Sequence, residues 1–466
     1  MTTGRIKLVA VLLLGGLTTA VHGLNDTSSR AMGLAQSYTA LARGPESVFW
    51  NPANLALGGG SGFSWDILNA GFTLIAENNS FSVKTYNDNF TDGAFIPVNE
   101  KDDLLGDIKG GGFKVNMDFD LYFAALVPLN GGVTFGMPWG IQSAIVTGLA
   151  TGFEGEVPKD IFDLMLFGND FNRTYDIAKW DGSGWGVASL NWAGAKAWMP
   201  PQADQYLSEF TVGGTLKFMT GAYGEVKRSS GGFVSYFGHE TESPRTSLDA
   251  YVVSQYAGGN GFGIDLGVAG VTKDKKTTFS VALLNLLDTM SWGGAFGVDA
   301  RQDSVFAKAD TLLATRLLDV KEIEEVLDNP VDEDGKIVFR EELGSESFSR
   351  SVPAMLRIGG AHQLLPKLTV VGNYDQAFTE GFGIKTAPRL SAGVEYTLVP
   401  WFPTRFGLSV GGRGASSAIG FGFGPFNFPH TQLELMNLAT VTRGGFLPGV
   451  SKGVSVSLMF FQIKIT

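Results

Sequence analysis

One acidic segment of the sequence has the spacing of a calcium-binding loop. Asp332, Asp334 and Glu341 match positions 3, 5 and 12 of an EF-hand. Gly335 falls at position 6, where the loop turns sharply. Clustered carboxylates are ligands that Ca²⁺ prefers, but position 1 is Pro330, which has no carboxylate, and no clear exit helix follows. The segment is therefore either a weak calcium site or a solvated acidic loop outside the main fold.

The remaining reactive side chains form no catalytic pattern. The sequence has no cysteine, which excludes disulfides and thiolate chemistry. It also lacks the short motifs of serine hydrolases, zinc proteases and phosphate-binding loops. No metal-ligand spacing relates the four histidines, which are His22, His239, His362 and His430. The sequence thus predicts a protein that is not an enzyme and needs no cofactor, apart from the weak possibility of calcium.

The composition favours many short strands joined by tight turns. Glycine accounts for 63 of the 466 residues, about twice its average usage of roughly 7%. Aromatic residues make up 12% of the chain and charged residues only 17%, which excludes a disordered protein. No apolar run of about 18 residues follows the N-terminus, so the sequence predicts no membrane-spanning helix.

The N-terminus has the features of a secretory signal. Arg5 and Lys7 precede the apolar run of residues 9–17, and small residues near Gly23 offer a cleavage site. Loss of residues 1–23 removes two basic side chains and no acidic one, so the net charge moves from −11 to −13. An acidic chain argues against nucleic-acid binding, which requires a basic face.

Strand-like segments occupy most of the remaining chain. Phe81, Val83 and Thr85 alternate with polar residues, as in a strand with one buried face. Residues 262–269 and 279–287 flank a charged turn and predict a β-hairpin. Residues near 155–180, which include a short helix, and residues near 300–349 are predicted to form long loops.

The last segment, residues 453–466, predicts a strand with a bulge. Val454, Val456, Leu458 and Phe460 share one face, and the apolar phase then slips by one residue to Phe461. A β-bulge produces such a slip, because one extra residue shifts the alternation of the side chains.

The segment of residues 28–60 carries a family resemblance. It contains Arg30 and Gly33 in a run of small residues, followed by Asn51, Pro52 and Ala53. This pattern resembles the N-terminal plug of FadL-like outer-membrane β-barrels, which include long-chain fatty-acid transporters and secretion-shuttle barrels. The phrase FGIDLGVA from Phe262 is also similar to that superfamily, and the stretch after residue 79 is most similar to an uncharacterised branch of it.

The resemblance implies an all-β fold, an antiparallel transmembrane β-barrel of about 14 strands. Residues 1–23 would be the signal peptide, residues 24–60 a plug inside the lumen, and residues 61–466 the barrel. Structural and gating roles in the plug fall to five residues: Arg30, Gly33, Asn51, Pro52 and Ala53.

The function implied by the resemblance is passive transport of hydrophobic small molecules, such as long-chain fatty acids. The location would be the outer membrane of a Gram-negative-type bacterium, with membrane lipid and a hydrophobic ligand as partners. Two alternatives stay open. One is a barrel that does not transport, but serves a secretion system or holds a secreted protein at the surface. The other is a soluble β-sandwich, in which Trp180, Trp185, Trp192 and Trp198 form a core rather than an interfacial girdle.

Overall fold

The structure, a computed structural model, describes residues 28–59, 62–91, 96–108, 110, 112–125, 127–129, 131–168, 170–176, 179–237, 244–295, 297–313, 337–344 and 347–465. The predicted signal peptide lies outside the described residues, as do Asp332 and Asp334. The third residue of the acidic motif, Glu341, lies in the strand Ile337–Gly344, where its register partner is Ser304.

Fourteen strands of the described part close into an antiparallel barrel, in which each strand pairs with the next and the last pairs with the first. This confirms the predicted fold class. The wall strands are β1 (Ser64–Asn78), β2 (Phe113–Ala125), β3 (Ile141–Val157), β4 (Asp181–Ala197), β5 (Leu207–Phe237), β6 (Pro244–Thr272), β7 (Thr277–Asp288), β8 (Met355–Leu365), β9 (Leu368–Ala377), β10 (Arg389–Val399), β11 (Phe402–Gly411), β12 (Ser416–Phe423), β13 (Met436–Arg443) and β14 (Gly453–Ile465).

The smaller elements lie before, between and beyond these strands. The α-helices are α1 (Ser29–Gly33), α2 (Ser47–Trp50), α3 (Val83–Tyr86), α4 (Val98–Asp107) and α5 (Lys159–Phe167). The 3₁₀ turns are Gly44–Glu46, Pro52–Gly59 and Pro138–Gly140, and a π turn covers Asn87–Thr91. The short or extra strands are Val127–Leu129, Gly131–Met137, Thr174–Tyr175, Ser291–Trp292, Gly294–Ala295, Val298–Asp299, Arg301–Leu313, Ile337–Gly344, Phe348–Ser349, Phe426–Phe428 and Thr431–Glu434. None of the described helices is long and apolar enough to span a membrane.

The wall strands alternate in the sense opposite to that of a soluble protein. Along β11, Phe406, Leu408 and Val410 are exposed on the outer face, whereas Arg405 and Ser409 are buried on the inner face. Apolar residues outside and polar residues inside are the pattern of a barrel surrounded by lipid, and not of a β-sandwich with an apolar core.

The tryptophans of β4 and its flanks divide between two environments. Trp180, Trp192 and Trp198 are exposed, and Trp198 follows the end of the strand as an interfacial girdle requires. Trp185 is buried and faces the lumen. The girdle interpretation therefore does not extend to Trp185.

Most connections at one end of the barrel are short, and most of those at the other end are long. At the long-loop end, β5 and β6 run for 31 and 29 residues, far more than the roughly 9–11 that cross a membrane. Their outer halves extend as a hairpin, which Arg301–Leu313 and then Ile337–Gly344 lengthen into a sheet. The predicted loop near 300–349 was wrong for these described segments, because strand partners distant in sequence order them.

Two other local predictions have opposite outcomes. The bulge in β14 is confirmed, since Ala70 pairs with Phe461 and Gly71 with Met459, which leaves Phe460 as the extra residue. The predicted strand near Phe81 was wrong, because residues 83–86 form α3. The Ser82 hydroxyl caps this helix by accepting a hydrogen bond from the Thr85 N–H at 3.0 Å, and such local bonds compete with sheet formation.

The loop predicted near 155–180 is only partly a loop. β3 continues to Val157, and α5 begins after Pro158, which confirms the predicted short helix. Thr174–Tyr175 then forms a short strand that pairs with β5. The strand at Tyr175 has its partner 58 or more residues away in sequence, so local patterning carried no sign of it.

Candidate functional site

Residues 28–59, hereafter the N-terminal segment, pack against inward-facing residues from all around the barrel. Helix α1 contacts β12 and β13, and the turn Pro52–Gly59 contacts β4, β5 and β6. These two groups of strands lie on different sides of the ring. The segment therefore lies within the ring of strands, and most of its side chains are buried.

Asn51 joins the N-terminal segment to the wall. Its side-chain amide donates to the Val268 carbonyl at 2.9 Å, the Ser280 hydroxyl at 2.6 Å and the Val281 carbonyl at 3.1 Å. Its carbonyl oxygen accepts from the Ala53 N–H at 2.9 Å, so that the same side chain also shapes the turn. Pro52 begins that turn at a position where a proline needs no partner for its nitrogen. The motif predicted to be structural thus connects β6, β7 and the segment.

Arg30 makes a second connection, on the opposite side. Its guanidinium forms two hydrogen bonds with the Glu395 carboxylate on β10, at 2.8 and 2.9 Å. Arg405 on β11 donates to the same carboxylate at 2.7 Å and to Asn437 at 2.8 Å. A carboxylate shared by two guanidiniums is a strong, charge-assisted contact, and it holds α1 against the wall.

Glycines allow the segment to approach the wall closely. A Cβ atom on Gly33 would lie 3.0 Å from the Cα of Gly420. A Cβ atom on Gly213 would lie 2.6 Å from the Ala53 nitrogen, and one on Gly267 would overlap the Asn51 carbonyl oxygen. The predicted importance of Gly33 has a simple physical cause here, since backbone meets backbone at that point.

An arginine-rich cavity lies on the long-loop side of the N-terminal segment. Its volume is about 60 Å³, and Arg357, Arg389, Arg413 and Arg443 contribute to its lining, together with the carboxylates of Glu77 and Asp375. Lys385 also lines the cavity, so four guanidiniums and one ammonium against two carboxylates leave an excess of positive charge. Sequence reasoning missed these arginines, although Arg357, Arg389 and Arg443 each stand at an inward position of an alternating strand.

Two of these arginines also hold the N-terminal segment. Arg389 donates to the Ala35 carbonyl at 2.5 Å, and Arg357 donates to the Phe49 carbonyl at 3.4 Å. The Arg357 guanidinium lies 4.6 Å from the centre of the Trp50 ring, a cation–π distance. The same side chains therefore face both the cavity and the segment.

An apolar cluster adjoins the arginine-rich cavity. Five aromatic residues form its centre: Phe382 is one of them, and the other four, Trp185, Tyr223, Trp292 and Phe348, we call the aromatic cage. Met355, Ala377 and Ile384 belong to the same apolar cluster and also line the cavity. The lumen above the N-terminal segment is thus apolar on one side and cationic on the other.

A larger, polar cavity of about 460 Å³ lies at the short-turn end. Arg30, Trp50, Glu395 and Lys464 are among its lining residues. Since Arg30 and Trp50 belong to the N-terminal segment, the segment forms one wall of this cavity, and its opposite side faces the arginine-rich cavity.

Among the described residues, the other side chains considered for chemistry do not assemble; His22 and His239 lie outside the described residues. The described part of the chain contains no group of three or more histidine, cysteine or acidic residues able to hold a metal ion. His362 pairs with the Thr277 hydroxyl at 2.9 Å on the exposed surface, and His430 lies in a turn with φ of 61°.

Comparisons with known proteins agree with this architecture. Residues 52–429 match the model of DUF5723, a family of unknown function. The toluene transporter TbuX of Ralstonia pickettii has a similar fold, with a TM-score of 0.51, 13% identity, and coverage of 96% of this chain and 100% of TbuX. No curated protein matches the sequence.

Two further solved structures are similar at lower scores. The Pseudomonas putida toluene transporter TodX has a TM-score of 0.46 and 9% identity, covering 96% of this chain and 98% of that one. A Pseudomonas aeruginosa FadL homologue has a TM-score of 0.44 and 11% identity, covering 96% and 99%. The likeness to TbuX confirms the predicted resemblance to FadL-like barrels at the level of the fold. By its match over residues 52–429, the chain belongs to the family of unknown function DUF5723.

Proposed function

We propose that this protein is an outer-membrane channel for the passive uptake of hydrophobic molecules with an anionic head group, such as long-chain fatty acids. The observation that carries the proposal is the amphipathic lumen, in which the aromatic cage adjoins the four arginines of the cavity. Arginine pairs well with a carboxylate because its planar fork matches the two oxygens. The outer apolar face of the wall supports a membrane location, and the transport of toluene by TbuX, the protein of similar fold, supports a hydrophobic cargo.

The N-terminal segment is the natural gate of such a channel. It lies between the two cavities, and Arg30, Gly33, Asn51, Pro52 and Ala53 fix it to the wall. In this proposal residues 24–60 are the plug, and a ligand that loosens these contacts lets the cargo pass to the short-turn end. Residues 1–23 are proposed to be removed as a signal peptide during export.

A ligand carboxylate would act on the plug through the arginines it binds. Arg389 and Arg357 now donate to plug carbonyls, and a carboxylate in the cavity competes for the same donors. The turn that Arg389 holds is strained, because Ala35 and Gln36 have positive φ angles of 48° and 62°. The Gln36 side-chain amide is also buried and has no hydrogen-bond partner among the described residues. Each of these features costs free energy, roughly 1–3 kcal/mol, and therefore favours release of the turn.

Native mass spectrometry of the purified protein tests the proposal. Incubation with oleate or with oleyl alcohol compares two ligands that share an apolar chain and differ in the head group. We expect one oleate per barrel, weaker retention of the alcohol, and about tenfold weaker oleate binding after Arg389→Gln with Arg443→Gln. Arg173→Gln is the matched control, since Arg173 pairs with Asp160 and Asp163 at the long-loop end and does not line the cavity.

If the wild-type protein and the double variant each retain oleate and oleyl alcohol equally, the anionic head group is refuted and a channel for neutral hydrophobes remains. Retention of neither ligand would contradict the uptake function itself.

A second candidate function rests on the sheet that projects from the long-loop end. β5, β6, Arg301–Leu313 and Ile337–Gly344 form a surface beyond the membrane-spanning length, on which a secreted protein could be held. Recovery of the barrel with a stable protein partner and without a bound hydrophobe would favour this scaffold. The weak calcium site at Asp332, Asp334 and Glu341 stays a prediction.

A further inference from the structure

We propose that the aromatic cage is the apolar subsite of the ligand path, that it takes a benzyl-sized group, and that Phe382 is its resident occupant. In this proposal the loop of residues 378–388, hereafter the strap, withdraws Phe382 when a ligand group enters. The inference rests on the proposed uptake function for its purpose, whereas the occupancy can be tested without any transport measurement.

The strap crosses the lumen at the long-loop end. It leaves β9 at Ala377 and enters β10 at Arg389, while the Lys385 ammonium lies 3.3 Å from the Glu154 carboxylate on β3. Strand β3 is on the opposite side of the ring from β9 and β10. The strap therefore closes over the lumen instead of folding outward from its own hairpin.

Phe382 is inserted where an apolar ligand group would fit. Its side chain is only 2% exposed, whereas Phe378 at the start of the same strap is 57% exposed. The Phe382 ring centre lies 5.6 Å from that of Trp185, 5.3 Å from that of Tyr223 and 6.3 Å from that of Trp292. These are the spacings of favourable aromatic pairs. The cage therefore packs against the Phe382 ring on several sides, and a ligand ring of the same size would make the same contacts.

The cage also contains an unused hydrogen-bond donor. The Trp185 indole N–H is buried and has no acceptor among the described residues. A buried tryptophan usually finds a partner for this group. Phenylalanine cannot supply an acceptor, whereas a ligand with a polar atom beside its apolar group can.

The backbone of the strap suits a part that moves. Phe382 has a φ of 50°, which is uncommon for a bulky residue. Its neighbours Gly381 and Gly383 have φ angles of 144° and 72°, which glycine tolerates. The free energy gained by burial of the Phe382 ring therefore offsets the cost of the strained backbone, and withdrawal of the ring from the cage would relieve that strain.

Arg413 connects the strap to the arginine-rich cavity. It donates through Nε to the Gly383 carbonyl at 3.0 Å, and a second bond from Nη2 reaches the same oxygen. Its third contact is with Glu77, at 2.7 Å. An anion that attracts this guanidinium weakens its hold on Gly383, so that one amphiphilic ligand acts on both the cage and the strap.

Distance measurements between two spin labels test the inference. The chain has no native cysteine, so Ala387→Cys on the strap and Asp181→Cys at the start of β4 report one distance, and both positions are exposed. We expect a single short distance in the full-length protein, and a second, longer one when toluene is added as the probe.

Phe382→Ala should populate the longer distance without toluene. We take the short distance as the closed state and the longer one as the open state. The ratio of closed to open populations should fall roughly 10- to 100-fold, as expected when burial of a phenylalanine ring is lost. Phe378→Ala is the matched control, because this residue lies in the same strap and is exposed. It should leave the distance unchanged.

Arg413→Gln keeps the ring and provides a second variant if Phe382→Ala does not fold. It should lower the closed-to-open ratio about tenfold, through loss of charge-assisted hydrogen bonds to Gly383. An unchanged distance in both variants and with toluene would overturn the inference and make Phe382 an ordinary core residue. Because the probe is neutral, this outcome is independent of the oleate test of the proposed function.

Discussion

Asn51 offers the most direct way to loosen the N-terminal segment from the wall. Its side chain is fully buried and takes part in four hydrogen bonds, three to β6 and β7 and one within the turn. Net contributions of roughly 0.5–1.5 kcal/mol per bond sum to about 2–6 kcal/mol. The Val268 and Val281 carbonyls can still accept other hydrogen bonds after the substitution, which reduces the loss. We therefore expect Asn51→Ala to lower the free energy of undocking by about 3 kcal/mol, in the lower half of this range.

Hydrogen exchange followed by mass spectrometry measures this effect. A loss of about 3 kcal/mol corresponds to exchange roughly 100-fold faster for amides that open by undocking. The increase should be confined to the N-terminal segment and absent from the wall strands. Asn51→Asp is the informative companion, because it keeps the shape but places a carboxylate against the carbonyls of Val268 and Val281. It should exchange at least as fast as Asn51→Ala. Unchanged exchange in both variants, or equal acceleration by the exposed Asn427→Ala, would refute the anchoring role.

Two further predictions concern contacts that the wall makes. Gly267→Ala places a Cβ atom on the Asn51 carbonyl oxygen, so we expect faster exchange of the N-terminal segment with an intact barrel, and a slower exchange than in wild type would contradict this reasoning. Lys217→Met leaves the buried Asp265 carboxylate without its ionic partner, the Lys217 ammonium at 2.8 Å, and removal of one member of a buried ion pair costs about 3–5 kcal/mol. It should lower the temperature at which the barrel unfolds on a gel in detergent, and Lys217→Met with Asp265→Leu should recover most of the loss.

The parts of the fold that could be predicted from the sequence depend on local repetition. Alternation revealed the hairpin of β6 and β7 and the bulge at Phe460, because each residue in a wall strand faces either lipid or lumen. The same rule failed near Phe81, where the Ser82 cap favours a helix. Alternation cannot register a single side chain that stabilises a competing local structure.

The parts of the site that could not be predicted depend on contacts between distant residues. Asn51 stood out through its motif, but its partners Val268 and Ser280 lie more than 200 positions away in the sequence. Arg357 and Arg389 occupy ordinary inward positions, and nothing local marks them as facing one cavity. Phe382 lies between two glycines in what is, by sequence, a turn, so its insertion into the lumen had no signal at all.

The abundance of glycine has a cause beyond turns, and that cause bears on how the proposed channel would open. Glycines on six wall strands lie against the N-terminal segment: Gly213, Gly267, Gly359, Gly393, Gly407 and Gly420. A side chain at these positions would collide with the segment, so the segment can pack against the wall only because glycine stands there. The absence of side chains at these positions also leaves room for a ligand to pass. In the proposed uptake function, once the segment moves, these six positions add no side chain to the space it leaves, so the surface against which the plug packs would also line the open channel.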